Sequence, residues 1–365
     1  MKMPTDAIRM EIRQSGVISF ARFMELALYC PETGYYETRQ DNVGRAGDFV
    51  TSVSAGSLFG ELLAFQFAEW LAELPNAHFP LPIIEAGAHD GKLARDILNW
   101  LQARRPELYD RLEYWILEPS RNRQAWQEET LSPFAPLIRW FTGFEDLKIK
   151  RPKLDGIIFG NELLDAFPVR RLGWDAREKL WYEWGVALAG DKFGWMKMPA
   201  SPSRLPSSVL QLPTSLLAVL PDNYTIEISP AAENWWREAA EALSRGRLLA
   251  IDYGFTSAEQ FSPARLNGTL RAYRRHQVSA DLLADPGGQD LTAHINFSAL
   301  QQAGEAAGLN TDMFCTQPQF LTRILQQAAT GKSFANLEAK QVRQFQTLTH
   351  PEHLGRAFRV LVQSR

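Results

Sequence analysis

The chain predicts an α/β fold: a Rossmann-like core with an N-terminal helical segment and inserted β and helical additions. Three observations predict it. From residue 81 onward, short apolar runs alternate with amphipathic helical patterns, as in a mostly parallel sheet covered on both faces. A glycine turn, Gly87 to Gly91, joins the first apolar run to its helix. Between 170 and 222 a Trp-rich stretch breaks the alternation with hairpin patterning.

In chain order, Phe20, Phe23, Met24, Ala27 and Leu28 follow the spacing of a buried helix face. A Gly- and Asp-rich loop runs from Pro31 to Ser54. A helix from about Ser57 to Leu74 carries the stripe Phe59, Leu62, Leu63, Phe67, Trp70, Leu71 and Leu74. Residues 81–86 read as a buried strand, Leu93 to Leu101 as a helix, and 112–118 as the next strand, which completes a βαβ unit. Strands are further expected at 137–141, 154–159, 224–228 and 247–253. Ser229 and Pro230 open a helix and Gly246 closes it. A helix over 297–307 is bracketed by Asn296 and Gly308, and the last strand is 358–362. The expected division is a helical segment and covering loop at 1–75 and a core at 76–255 with a β insertion at about 170–222. A helical and loop lid at 256–345 and a C-terminal strand at 346–365 follow.

Composition narrows the function. Of 365 residues, 45% are hydrophobic and 22% charged, an ordinary globular balance. The net charge of −3 gives no basic footprint, so no nucleic-acid partner is expected. No run reaches the ~18 apolar residues of a membrane span. Two distant cysteines, Cys30 and Cys315, make neither a disulfide framework nor a zinc motif. His350 and His353 flank Pro351, which opposes a helical ligand pair, and no metal is expected. The N-terminus lacks a signal-type apolar stretch, which sets a cytoplasmic location as the expectation.

Three motifs carry chemistry. Glu85-Ala-Gly87-Ala-His89-Asp90-Gly91 sits between a strand and a helix. Its glycines permit close backbone approach to a ligand, and Glu85 disfavours phosphate and suits a cation. A purely structural turn remains open. Glu118 lies 27 residues after Gly91, at a strand end, where a carboxylate can accept both hydroxyls of a ribose. A solvated strand end is the alternative. Asn161-Glu162-Leu-Leu-Asp165 follows an apolar strand, in the position where open parallel sheets bind substrates. The alternative is that Asp165 braces the turn while Glu162 faces water.

The run Phe20-x-x-Phe-Met-x-x-Ala-Leu-Tyr-x-Pro31-x-x-Gly34-Tyr-Tyr36 and the run Gly47-Asp48-Phe-Val-Thr51-Ser52 resemble the MidA family. The resemblance continues through Asn161-Glu-Leu-Leu-Asp-Ala-Phe-Pro-Val169, Asp252-Tyr-Gly254, residues 268–273 and Asp290-Leu-Thr-Ala-His294-Ile-Asn-Phe297. It implies a class I fold for methyl transfer from S-adenosyl-L-methionine (SAM). It also implies a protein substrate methylated on arginine, with a respiratory complex I subunit as partner. Carried over by position, Gly47, Asp48, Thr51, Ser52, Glu85, Gly87, Gly91, Glu118 and Asn161 would hold SAM, while Glu162 and then Asp165 would serve catalysis. Departures from the family pattern are Ala88 for proline, His89 for glycine, Asp90 for arginine, and Asn296 for aspartate.

Methyl transfer needs a nucleophile aligned behind the methyl group and water kept out. Carboxylates can orient a guanidinium through two parallel hydrogen bonds. Other functions compatible with the sequence are a small-molecule methyltransferase and a silent assembly chaperone that kept the fold. A nicotinamide dehydrogenase is disfavoured by the glycine spacing.

Overall fold

The computed structural model describes residues 3–38, 51–74, 80–199, 205, 209, 212–274, 277–330, 334, 337–355 and 358–365. The chain forms two compact units, each assembled from separated stretches: 1–39, 165–233 and 255–300 in one, and 40–164, 234–254 and 301–365 in the other. The contiguous division expected at 75, 255 and 345 does not follow these units. Residues 255–300 and 301–345, expected together as a lid, fall in different units.

The larger unit is built on one sheet. Its strands run in the order Asn310–Thr316, Phe358–Ser364, Leu243–Phe255, Leu154–Asn161, Leu81–Ala86, Leu112–Leu117, Ile138–Phe141. The last five are mutually parallel, and the first two pair antiparallel at one edge. The Leu81–Ala86 and Leu154–Asn161 strands are buried at every position, as a strand covered on both faces must be. Helix Leu58–Ala72 covers the sheet. Its burial extends beyond the expected stripe: Phe65 and Ala68 are buried beside the expected Phe59, Leu62, Phe67 and Trp70. Phe67 meets Phe159 of the sheet at 5.0 Å, and Trp70 meets Phe320 at 6.5 Å. Each such side chain contributes roughly 1.5–3 kcal/mol by burial.

The smaller unit holds an antiparallel sheet of Ile18–Ser19, Leu180–Ala189, Arg170–Asp175 and Thr225–Ile228, with Lys192–Pro199 paired to Leu180–Ala189. The Trp-rich stretch thus forms hairpins, as its pattern indicates. Helix Phe20–Tyr29 buries Phe20, Phe23, Met24, Ala27 and Leu28, and Ser19 caps it by accepting a hydrogen bond from the Arg22 backbone N–H.

Two sequence expectations are corrected. The 224–228 strand was expected in the parallel sheet, but Thr225–Ile228 pairs antiparallel with Arg170–Asp175. Its alternation of Thr and Glu with Ile and Ile is the pattern of a sheet with two unlike faces, not the continuous apolar run of a parallel core. Gly246, expected to stop a helix, lies inside the Leu243–Phe255 strand opposite Gly156, just past a register shift between Leu243 and Arg245. Its φ is +134°, and a Cβ there would stand 1.8 Å from the Gly156 carbonyl oxygen.

Candidate functional site

The sheet order fixes where a ligand can sit. From Leu81–Ala86 the chain steps outward through Leu112–Leu117 to Ile138–Phe141, then returns to the other side at Leu154–Asn161. The carboxyl ends of Leu81–Ala86 and Leu154–Asn161 therefore lie side by side, with Ala86 opposite Gly160. That switch of direction opens the crevice in which α/β sheets bind ligands. The glycine turn follows the first strand and Asn161-Glu162 ends the second.

The turn is left-handed at three places: Gly87 at φ +70°, His89 at +46° and Gly91 at +81°. The Gly91 N–H closes it by donating to the Ala88 carbonyl at 2.7 Å, and helix Lys92–Arg104 starts there. His89 thus takes the conformation that glycine would adopt, and its ring lies 6.3 Å from that of Trp126. Asp90 is held well below the usual carboxylate range. Burial opposes this, but the His89 ring at 3.9 Å and the Lys92 ammonium at 2.6 Å outweigh it.

Glu85 is placed differently from the expectation that it offers charge to a cation. It is 3% exposed and accepts a 2.6 Å hydrogen bond from the buried Tyr114 hydroxyl. Burial pushes its carboxyl up to about 8, so at neutral pH the free protein holds it mostly uncharged.

Glu118 is not a solvated strand end: it is 1% exposed. Its Oε1 accepts from the Ser120 N–H at 3.0 Å and from Arg123 Nε at 2.9 Å, and Arg123 completes a buried ion pair. Its Oε2 accepts from Gln127 Nε2 at 3.2 Å. Arg123 and Gln127 were missed in the sequence. They are the buried residues of helix Arg121–Thr130, four apart on one face. A helix that buries its polar residues has a polar target, and that pattern in RNRQAWQEET was the available signal.

Asn161 and Glu162 carry the most unusual feature. Glu162 has φ +51°, a conformation a glutamate rarely takes. Its Oε1 accepts from the Ser52 N–H at 2.9 Å, and Asn161 Nδ2 approaches the same oxygen at 3.4 Å. Among the described residues, neither its buried Oε2 nor the buried Asn161 Oδ1 has a hydrogen-bond partner. Burial raises the Glu162 carboxyl to about 8. The loop behind it is fixed by Asp252, whose Oδ2 accepts from the Leu163 and Leu164 N–H groups at 3.1 and 2.8 Å. Sequence inspection found the Asp252 motif but not this task.

Ser52 is fully buried, and its hydroxyl donates to Gln317 Oε1 at 3.1 Å. Thr51 is locked through Ser54, whose N–H and hydroxyl bond to Thr51 Oγ1 and O. Gly47 and Asp48 lie outside the described residues. The boundary between the two units falls between Leu164 and Asp165, so Glu162 and Asp165 belong to different units. Asp165 is buried, and its carbonyl accepts from the Ala293 N–H at 2.9 Å. Its charge adds to the causes that raise the Tyr36 hydroxyl, after burial, Asp290 and Tyr29, and the Tyr273 hydroxyl, where burial and Asp290 also raise and Arg271 opposes.

These residues fit SAM. The buried Glu118 carboxylate stands at the strand end next to the glycine turn, and among the described residues the turn presents no cluster of cations for phosphate. The pattern of a protein family described as "Putative S-adenosyl-L-methionine-dependent methyltransferase" matches residues 62–315. A protein of Burkholderia thailandensis, solved bound to S-adenosyl-homocysteine, is similar at 32% identity and a TM-score of 0.83, over 99% of this chain and 92% of that one. The chain is also 27% identical to a mitochondrial protein arginine methyltransferase homolog of Drosophila melanogaster, over 97% of this chain and 83% of the other. A mitochondrial protein arginine methyltransferase of Danio rerio is 26% identical over 95% and 83%. The two carboxyl-end loops at the sheet's switch point, and the match along most of the chain, agree with the motif resemblance: this chain belongs to that family of S-adenosyl-L-methionine-dependent methyltransferases.

Proposed function

We propose that the chain methylates an arginine side chain of a protein, with Glu162 orienting the guanidinium. The observation that carries this is the pair of buried acceptor oxygens, Asn161 Oδ1 and Glu162 Oε2, on adjacent residues and without a partner among the described residues. A buried acceptor without a donor costs about 1–3 kcal/mol, so such a pair is kept for a ligand rich in donors. A guanidinium is planar, carries five N–H donors and no acceptor, and is that complement. The relatives named as protein arginine methyltransferases support the same substrate. As the partner we propose a respiratory complex I subunit, which the motif resemblance implies.

SAM, when bound, supplies an electrophilic methyl group on a sulfonium. Glu162 Oε2 accepts a guanidinium N–H and concentrates electron density on the nitrogen to be methylated. The charged ligand would draw the Glu162 carboxyl down from about 8 and favour its ionised form. For each methyl gained the guanidinium gives up one N–H proton, and a carboxylate whose proton affinity is raised by burial can take it at Oε2. The Ser52 N–H holds that carboxylate in place, and Asp252 fixes the loop that follows it.

The test is incubation of the purified protein with methyl-labelled SAM and an array of arginine-bearing peptides, followed by acid hydrolysis and amino-acid analysis. Label in methylarginine is the expected result. Label confined to another side chain or a small molecule would overturn the arginine assignment.

A further inference from the structure

The helix after Glu118 buries two polar residues, and Arg123 is accounted for by its ion pair with Glu118. Gln127 carries no charge of its own to pair. It is fully buried, yet its side-chain amide uses every strong hydrogen-bonding group it has. Trp140 Nε1, which can only donate, meets Gln127 Oε1 at 2.9 Å. That contact sets which end of the amide is which. The amide nitrogen then faces two acceptors: the carbonyl oxygen of His89 in the glycine turn at 3.1 Å, and Glu118 Oε2 at 3.2 Å.

The two oxygens of Glu118 are unequally occupied. Oε1 is surrounded by the Ser120 N–H and the Arg123 guanidinium. Among the described residues, Oε2 receives Gln127 alone. An ionised carboxylate oxygen has about two lone-pair positions, so Oε2 is the one with capacity to spare. The rotation of the carboxyl group, and hence the direction of that spare capacity, is set by Gln127.

We propose that Gln127 is a positioning residue for the cofactor: it ties the glycine turn to Glu118 and turns Glu118 Oε2 to meet the ribose hydroxyls. This rests on the reading that Glu118 receives the ribose. Gln127 touches no reacting atom. It acts through the carboxylate and through the His89 carbonyl, and it spans the two elements that must grip one ligand together. Trp140 is the second layer, because without its N–H the amide can rotate and point its oxygen at the carboxylate. A bond-for-bond replacement by an apolar side chain would keep the helix but release both acceptors.

The experiment compares calorimetric affinities for S-adenosylhomocysteine and for its analogue lacking the ribose 2′ hydroxyl. Wild type should lose about tenfold or more when the hydroxyl is removed, the size of a hydrogen bond to a charged group. Gln127→Leu should bind S-adenosylhomocysteine about tenfold more weakly, and should lose less than about threefold on removal of the hydroxyl. Trp140→Phe should move the same ratio in the same direction, and decides the matter if Gln127→Leu fails to fold. A purely structural Gln127 would weaken both ligands equally, so a wild-type ratio in either folded variant overturns the proposal. Wild type that binds S-adenosylhomocysteine but ignores the missing hydroxyl overturns the ribose role of Glu118, and the proposal with it. Wild type that binds neither ligand overturns the cofactor site itself.

Discussion

The Ser52 backbone N–H donates to Glu162 Oε1 at 2.9 Å, joining a turn near the start of the chain to the end of a central strand. One carboxylate oxygen is thereby spent on holding the side chain still. The other is buried with no hydrogen-bond partner among the described residues, and once the carboxyl is ionised it is free to accept. This division of labour defines the first expected outcome.

Glu162→Gln keeps the shape, and its amide oxygen can still accept from Ser52. The amide nitrogen then replaces Oε2 and sets a donor against the N–H groups of a guanidinium. Turnover should fall about 10²-fold or more, the size of losing one preorganised electrostatic contact. Affinity for S-adenosylhomocysteine should stay within about threefold. Steady-state kinetics and calorimetry on the same preparation check both numbers, and full turnover would remove Glu162 from catalysis.

Asp252 accepts backbone N–H groups with both oxygens: Leu163 and Leu164 on Oδ2, and Tyr253 on Oδ1 at 2.8 Å. In Asp252→Asn either orientation turns an amide N–H toward a backbone N–H. Stability should drop by about 1–3 kcal/mol in urea unfolding. Turnover should drop as well, because the loop that carries Glu162 loses its anchor. A variant as stable and as active as wild type would show that the loop holds without it.

Glu85 and Glu162 both have carboxyl groups raised to about 8 by burial. Such groups stay protonated in the folded chain while the unfolded chain ionises near pH 4.5. The folded state then binds more protons, so stability is fully present below about pH 4.5 and is lost as pH rises toward 8. Each group can contribute a slope of up to ~1.4 kcal/mol per pH unit. Denaturation of the ligand-free protein from pH 5 to 8.5 should show the decline, and Glu85→Gln and Glu162→Gln should each flatten it. Stability that climbs across this window would contradict the assignment.

His89 occupies φ +46° in a turn where the motif resemblance implies glycine. Histidine tolerates this conformation better than a β-branched residue does. His89→Val should lose about 1–2 kcal/mol, whereas His89→Gly should not destabilise the fold. Thermal melts of the two variants give the comparison, and equal melting temperatures would mean the turn relaxes around either side chain.

Gly246→Ala addresses the sheet itself. A Cβ at this position would stand 1.8 Å from the Gly156 carbonyl oxygen, between two central strands. The variant should lose several kcal/mol, at the severe end of single substitutions, or fail to accumulate as soluble protein. A well-folded Gly246→Ala would show that the strand can shift its register.

The sequence determined the parallel core strands, the glycine turn and the helix that follows it, because each is written in local periodicity and in residues with special backbone freedom. It marked Glu118 and Glu162 by position after apolar strands, and the MidA motifs named the family. It did not reveal that Thr225–Ile228 belongs to the antiparallel sheet, that Asn310–Thr316 forms an edge of the main one, or that Gly246 is a strand residue. Strand partners are chosen by burial among segments distant in the chain, and no local pattern encodes the partner. The chemistry of the site divides the same way. Residue types are fixed by sequence, but the neutrality of Glu85, the free oxygen of Glu162 and the clamp of Arg123 and Gln127 on Glu118 arise only when folding removes water and brings remote donors and acceptors into reach. Desolvation and hydrogen bonding are properties of that three-dimensional surrounding, and only the tertiary structure decides them.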